Sequence, residues 1–219
     1  LAFGVMAMGL AFFAPAQHRA LRLTALGLLV HGAGYALLGL RGDIPLLLSI
    51  LGGNLGITLA AALYLLALYR FQERAPHWWL LALPVLIVGL GMALLLDNYT
   101  GRRLLSSLVA LCQFAHMALL LWQRRRHTAG RGQYLVLCAA LVVCATMVQR
   151  SAAYVLGMDS ARSLHDATPT VIWTFLMVLL SVLLLALGLL MMTQERVEQA
   201  LSSSEWRYRR LVEAANEGI

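Results

Sequence analysis

Lysine is absent from this 219-residue sequence, and Asp and Glu together number ten, so all seventeen basic side chains are arginines. Without a lysine amine no Schiff base can form, which rules out bound retinal and with it one class of seven-helix sensor. Charge of either sign is scarce. Charged residues are 12% of the chain, against roughly 25% in average soluble domains. Cysteine is scarce too: Cys112, Cys138 and Cys144 fall inside apolar runs at spacings that suit neither a zinc site nor a disulfide framework, and they read as buried small hydrophobes. No glycine-rich phosphate loop, zinc motif or nucleophile with its base on one element occurs, so no catalytic residue can be named.

What is present is apolar. Hydrophobic residues are 61% of the chain and the mean hydropathy is +0.77. Measured against the roughly 20 residues that a helix needs to cross a bilayer, seven runs emerge: 1–14, 21–40, 45–69, 78–96, 104–122, 134–156 and 171–193. They predict an all-α polytopic membrane protein, a seven-helix bundle occupying 1–193. The first run is too short to cross alone and opens without methionine, as expected of a chain cut from something longer. It lacks the basic leader of a signal peptide.

The net charge of +7 raises nucleic acid as a partner, but the arginines lie where topology wants them. With the C-terminus inside, Arg19, Arg22, Arg70, Arg74, Arg124, Arg125, Arg126 and Arg131 fall in inner loops, and Arg41, Arg102, Arg103 and Arg162 in outer ones. Positive charge collects on the cytoplasmic side of membrane proteins, so the pattern predicts N-out, C-in, and nucleic acid is not needed to explain it. Trp78, Trp79, Trp122 and Trp173 stand at helix ends, where indole rings prefer the interface. Gly52, Gly56 and Ala60 repeat every four residues, a small-residue stripe that lets another helix come close and suggests that run 45–69 is central. Pro84 lies within run 78–96 and removes one backbone bond there.

Beyond 193 the chain turns polar without a helix breaker until Gly218. Val197, Leu201, Ser204, Tyr208, Leu211 and Ala215 are spaced four and three in alternation, a heptad seam that predicts a signalling helix over 194–207 and a parallel homodimer. A solvated amphipathic helix is the plainer alternative. The stretch RYRRLVEAANEGI, with Tyr208, Arg209, Leu211, Glu213, Glu217, Gly218 and Ile219 in order, resembles the opening helix of a PAS domain, so that 208–219 would begin such a module. A membrane bundle ahead of it is similar to the input regions of bacterial signalling proteins. That resemblance implies a multi-pass protein of the bacterial inner membrane, with a GGDEF or GGDEF-EAL cyclic-di-GMP output or a histidine kinase downstream. A transporter or membrane enzyme is the competing class, although no internal repeat of the kind transporters show is visible.

Ionisable and amide groups within the spans are the candidate ligand site, because they are expensive to keep in hydrocarbon. His31 lies about 15 Å along its helix from the inner end, near the midplane. Tyr35 is one turn further out, Asn54 and Gln113 reach similar depth, His116 sits one turn further in, and Thr146 completes the cluster from run 134–156. For each, a hydrogen bond across a helix pair is the plainer role. Alternatively His31 and His116 could ligate a haem iron from opposite sides. Arg150 must snorkel or pair, with Asp97, Asp159 or Asp166 in reach, or else anchor the acidic group of a ligand entering from outside. Asp159, His165 and Asp166 share the last outer loop, yet their spacing fits no metal site. The stimulus, whether a small molecule or a redox change, is not written in these residues.

Overall fold

The computed structural model describes residues 19–125, 130–158 and 168–217, with side chains throughout except at 209 and 211–217. The described residues form helices α1 (Arg19–Gly39), α2 (Leu48–Phe71), α3 (Trp78–Leu94), α4 (Tyr99–Gln123), α5 (Gly132–Val155) and α6 (Pro169–Glu217), and no strand. Five of them, all but α3, are long and apolar enough to cross a membrane. Helix α3 has 17 residues, about 26 Å of rise against a hydrocarbon core of about 30 Å. It continues through Pro84. The run 1–14 lies outside the described residues.

Helix α2 opens with one wide π turn, Leu48–Gly52, before regular α geometry from Gly53. It packs on α1, α3 and α4, and Tyr64, Ala67 and Leu68 have no exposed surface. The central place expected of run 45–69 is therefore observed. Helix α4 packs on α5, α5 on α6, and α6 returns to α1, so five long helices close a ring. Helix α3 leans on α2 and α4 from outside, with Leu86, Leu90 and Leu94 exposed.

Lipid tails are as apolar as leucine, so helices here associate through close packing rather than escape from water. Glycine supplies it at two crossings. A Cβ on Gly34 would stand 2.9 Å from the Gly53 carbonyl oxygen, and one on Gly56 would stand 3.1 Å from the Gly34 Cα, so α1 and α2 meet backbone to backbone. A Cβ on Gly188 of α6 would stand 2.9 Å from the Gly132 carbonyl oxygen at the start of α5. The expected stripe holds at Gly56 and at fully buried Ala60, while Gly52 faces the Leu37 side chain.

The cysteines depart from expectation. Cys112 and Cys138 are exposed and Cys144 is only half-buried. An apolar run in a membrane chain faces lipid as well as core, so lying within one does not make a residue buried. Trp78, Trp79, Trp122 and Trp173 are all exposed, as interfacial rings should be.

Helix α6 extends 49 residues, about 72 Å, and leaves the bundle through a polar collar. The Glu195 carboxylate accepts from the backbone N–H groups of Arg131 (2.8 Å) and Gly132 (3.3 Å), covering the start of α5. Arg196 donates to the Phe71 carbonyl at 2.7 Å, at the end of α2, and its other nitrogen pairs with Glu73. Glu73 has φ of 54°, the left-handed conformation that ends a helix, which a non-glycine residue adopts at some energetic expense.

Candidate functional site

The ring of five helices encloses a cavity of about 150 Å³. Each long helix contributes to its wall and α3 does not. The cavity lies toward the end of the bundle where α1 and α5 finish and α4 and α6 begin, the end assigned to the outside by the arginine count.

Five of the seven expected ligand residues line it: His31 and Tyr35 from α1, Asn54 from α2, Gln113 from α4 and Arg150 from α5. Their fixings explain their positions. His31 shares a hydrogen bond with the Tyr64 hydroxyl (3.3 Å) and stacks on Tyr35 with ring centroids 5.1 Å apart, one turn away on the same face. Tyr35 in turn meets Phe175 of α6 at 5.6 Å, so an aromatic chain joins α1 to α6 along the cavity. Gln113 donates to the Thr58 carbonyl at 3.1 Å, tying α4 to α2. The Asn54 amide donates to the Ile50 carbonyl at 2.7 Å, inside the wide turn. Such π turns often sit at functional sites, because the extra residue per turn re-aims a side chain.

Two expected residues are not part of the wall. Thr146 is buried with its hydroxyl donated to the Val142 carbonyl one turn back, at 2.8 Å. His116 bonds the Tyr69 hydroxyl at 3.0 Å, further along α2 than the Tyr64 that holds His31. A haem held between His31 and His116 does not fit: the two imidazoles are engaged by different tyrosines, and only one of them borders the cavity. Among the described residues no three His, Cys, Asp or Glu side chains gather as metal ligands. Of the acidic partners considered for Arg150, Asp97 is exposed, and Asp159 and Asp166, with His165, lie outside the described residues. Arg150 donates to the Ser106 hydroxyl at 3.2 Å. Gln149 beside it is exposed.

The structure adds a group that the apolar-run count set aside as loop. Arg41, Arg102 and Arg103 line the same cavity as Arg150. Arg102 and Arg103 are 8% and 6% exposed, unusual for guanidinium groups. Arg103 lies 4.6 Å from the Tyr99 ring centroid and 5.0 Å from that of Tyr154, both of which also line the wall. Arg102 donates to the Leu95 carbonyl at 3.4 Å. Both belong to α4 because Asn98 caps it, accepting from the Gly101 N–H at 2.8 Å, so that the helix starts at Tyr99, five residues ahead of the apolar run at 104–122. The signal was readable: Tyr99, Arg103, Ser106, Ala110 and Gln113 fall at alternating intervals of four and three after a capping Asn, the signature of one helix face.

Compared with known proteins, the chain matches no family model, no curated protein and no solved structure.

Proposed function

We propose that this chain is a membrane-embedded sensory input unit. A ligand or redox change in the cavity biases the packing of the bundle, and α6 carries the change to a cytoplasmic module. In this reading the run 1–14 supplies a seventh crossing, the N-terminus is outside, and the C-terminal helix pairs with that of a second copy in the bacterial inner membrane. The module beyond it is of PAS type, ahead of cyclic-di-GMP turnover or, as the second choice, a histidine kinase.

One observation carries the reading. Val171, Thr174, Phe175, Val178 and Val182 border the cavity, and the same helix runs without interruption past the collar to Glu217. A stiff rod that touches the ligand space at one end and projects about 32 Å beyond Arg196 at the other transmits rotation or translation with little loss. A ligand shifts such an equilibrium only by its difference in affinity for the two packings, so the cavity wall must change with them.

The test is an insertion of two residues between Val197 and Ser204 in the intact protein. It turns everything downstream by about 200° without touching the spans. Output should change sharply while membrane insertion stays normal. Unchanged output would retire the receiver reading and favour a transporter or membrane enzyme.

A further inference from the structure

We infer that the cavity binds a small uncharged aromatic molecule with one O–H or N–H donor, a phenol or an indole in chemistry, its ring against the apolar wall and its donor on the Gln113 amide oxygen. The assignment rests on the reading of this cavity as the ligand site of a receptor, and it adds the chemistry of the ligand.

Two side-chain amides on the wall have acceptors to offer. Gln113 is 4% exposed, and its one hydrogen bond is the donation from its amide nitrogen to the Thr58 carbonyl, which leaves the amide oxygen without a donor. Asn54 repeats the pattern from α2: its nitrogen donates to the Ile50 carbonyl and its oxygen accepts nothing. Both residues border the cavity. Buried amide oxygens ordinarily have a partner, and the Thr58 and Thr174 hydroxyls on the same wall are committed to carbonyls one turn back in their own helices. The missing donor is therefore one that a ligand brings. Around these amides the wall is carbon, from Ala110, Phe114, Val143 and Val178. The stacked pair of His31 and Tyr35 continues it to Phe175, a chain of rings with centroids 5.1 and 5.6 Å apart. Such rings favour another ring, edge-on or offset. Water meets the amide oxygens and leaves the rings unmatched, whereas one aromatic molecule with a donor matches both.

The arginines at the outer end decide against a charged ligand. Arg102 donates to the Leu95 carbonyl and Arg150 to the Ser106 hydroxyl, while Arg103 lies against the rings of Tyr99 and Tyr154. An anion would have to compete with these protein contacts and with Asp97, which acts electrostatically on Arg102. A cation meets like charge, because the described wall residues include neither Asp nor Glu. Size narrows the choice further: a volume of about 150 Å³ resembles cavities that accept benzene, which limits the ligand to one ring or two small fused rings.

The experiment is calorimetric titration of the protein in zwitterionic-lipid nanodiscs with phenol, indole, toluene and benzoate, empty nanodiscs correcting for partition into lipid. Phenol or indole should bind saturably, and benzoate should bind at least about tenfold more weakly, since its charge must be desolvated in an apolar site. Gln113→Met should weaken phenol by about tenfold and leave toluene no weaker, because only the hydroxyl loses an acceptor. Should the Met variant fail to fold, Val178→Phe provides the second readout: it fills the apolar wall and should abolish phenol and indole binding. Absence of binding by both phenol and indole overturns the inference, as does benzoate binding as tightly as phenol. An equal loss of phenol and toluene on Gln113→Met overturns it too, as does phenol binding that survives Val178→Phe. Phenol or indole binding together with a silent two-residue insertion supports the ligand assignment and removes only the receiver reading. An insertion that changes output in a protein that binds neither does the reverse.

Discussion

Gly34 has two neighbours that leave it no alternative. A side chain there would push into the Gly53 carbonyl and the Ile57 backbone nitrogen, 2.9 and 3.0 Å from the new carbon. Backbone cannot retreat as a side chain can, so Gly34→Leu should separate α1 from α2 and destabilise the bundle by about 1–3 kcal/mol. Gly39, at the end of the same helix, meets nothing within 4 Å. Gly39→Leu should therefore be close to neutral, and thermal unfolding of the two variants in one detergent checks the contrast. At this scale the sequence revealed how deep a polar residue sits and left open which way it faces. Rise along a helix is fixed at about 1.5 Å per residue, so His31, Asn54 and Gln113 could be placed at a similar depth, with Tyr35 one turn further out, before any packing was known. Azimuth depends on neighbours. His116, three positions after Gln113, turns to Tyr69 instead of the cavity, and Thr146 turns back to its own helix.

Between elements, the informative contacts are those that hold α6 where it leaves the bundle. Glu195 covers the first N–H groups of α5 and Arg196 the last carbonyl of α2, so two consecutive side chains grip opposite kinds of helix end. Opposite partial charges at the two termini make each contact favourable. Glu195→Ala should leave the α5 start uncapped, at a loss of about 0.5–2 kcal/mol. Hydrogen exchange should quicken at residues 131–135 while the core of α2 stays protected. Uniformly faster exchange would show instead that the collar supports the whole fold. The helix boundaries were partly legible. Apolar runs located α1, α2, α3, α5 and the apolar part of α6 to within a few residues, because a lipid-facing segment must be continuous in carbon. They misplaced the start of α4, because Arg102 and Arg103 look like loop to a count of apolar residues, whereas the Asn98 cap and the four-three spacing of its polar face start the helix at Tyr99.

For the molecule as a whole, the open question is what meets the tail. Val197, Leu201, Ser204 and Tyr208 are exposed on α6, and the side chains of Leu211 and Ala215 lie outside the described residues. If the seam pairs two copies, single cysteines at 197, 201 and 204 should cross-link in membranes, in a background with Cys112, Cys138 and Cys144 replaced by serine. Glu198→Cys, on another face, should not. Equal cross-linking at all four positions would point to random collision rather than a parallel dimer. Attachment to the membrane matters here, because a seam this short is marginal in free solution and gains from the high local concentration of two helices in one bilayer.

The sequence by itself determined that this is a helical chain with several segments suited to a membrane, since burial in hydrocarbon forces every backbone group to be satisfied within its own helix and demands long apolar runs. It also determined that the last of these segments continues into a polar helix, because nothing between 170 and 217 breaks one. Only the tertiary structure decided that α3 stands outside the ring, that five helices enclose a cavity, and that arginines from α4 line the same cavity as Arg150. Lipid-facing and core-facing positions are equally apolar in such a chain, so the pattern that assigns faces in a water-soluble protein is missing, and close packing between particular side chains has to choose them.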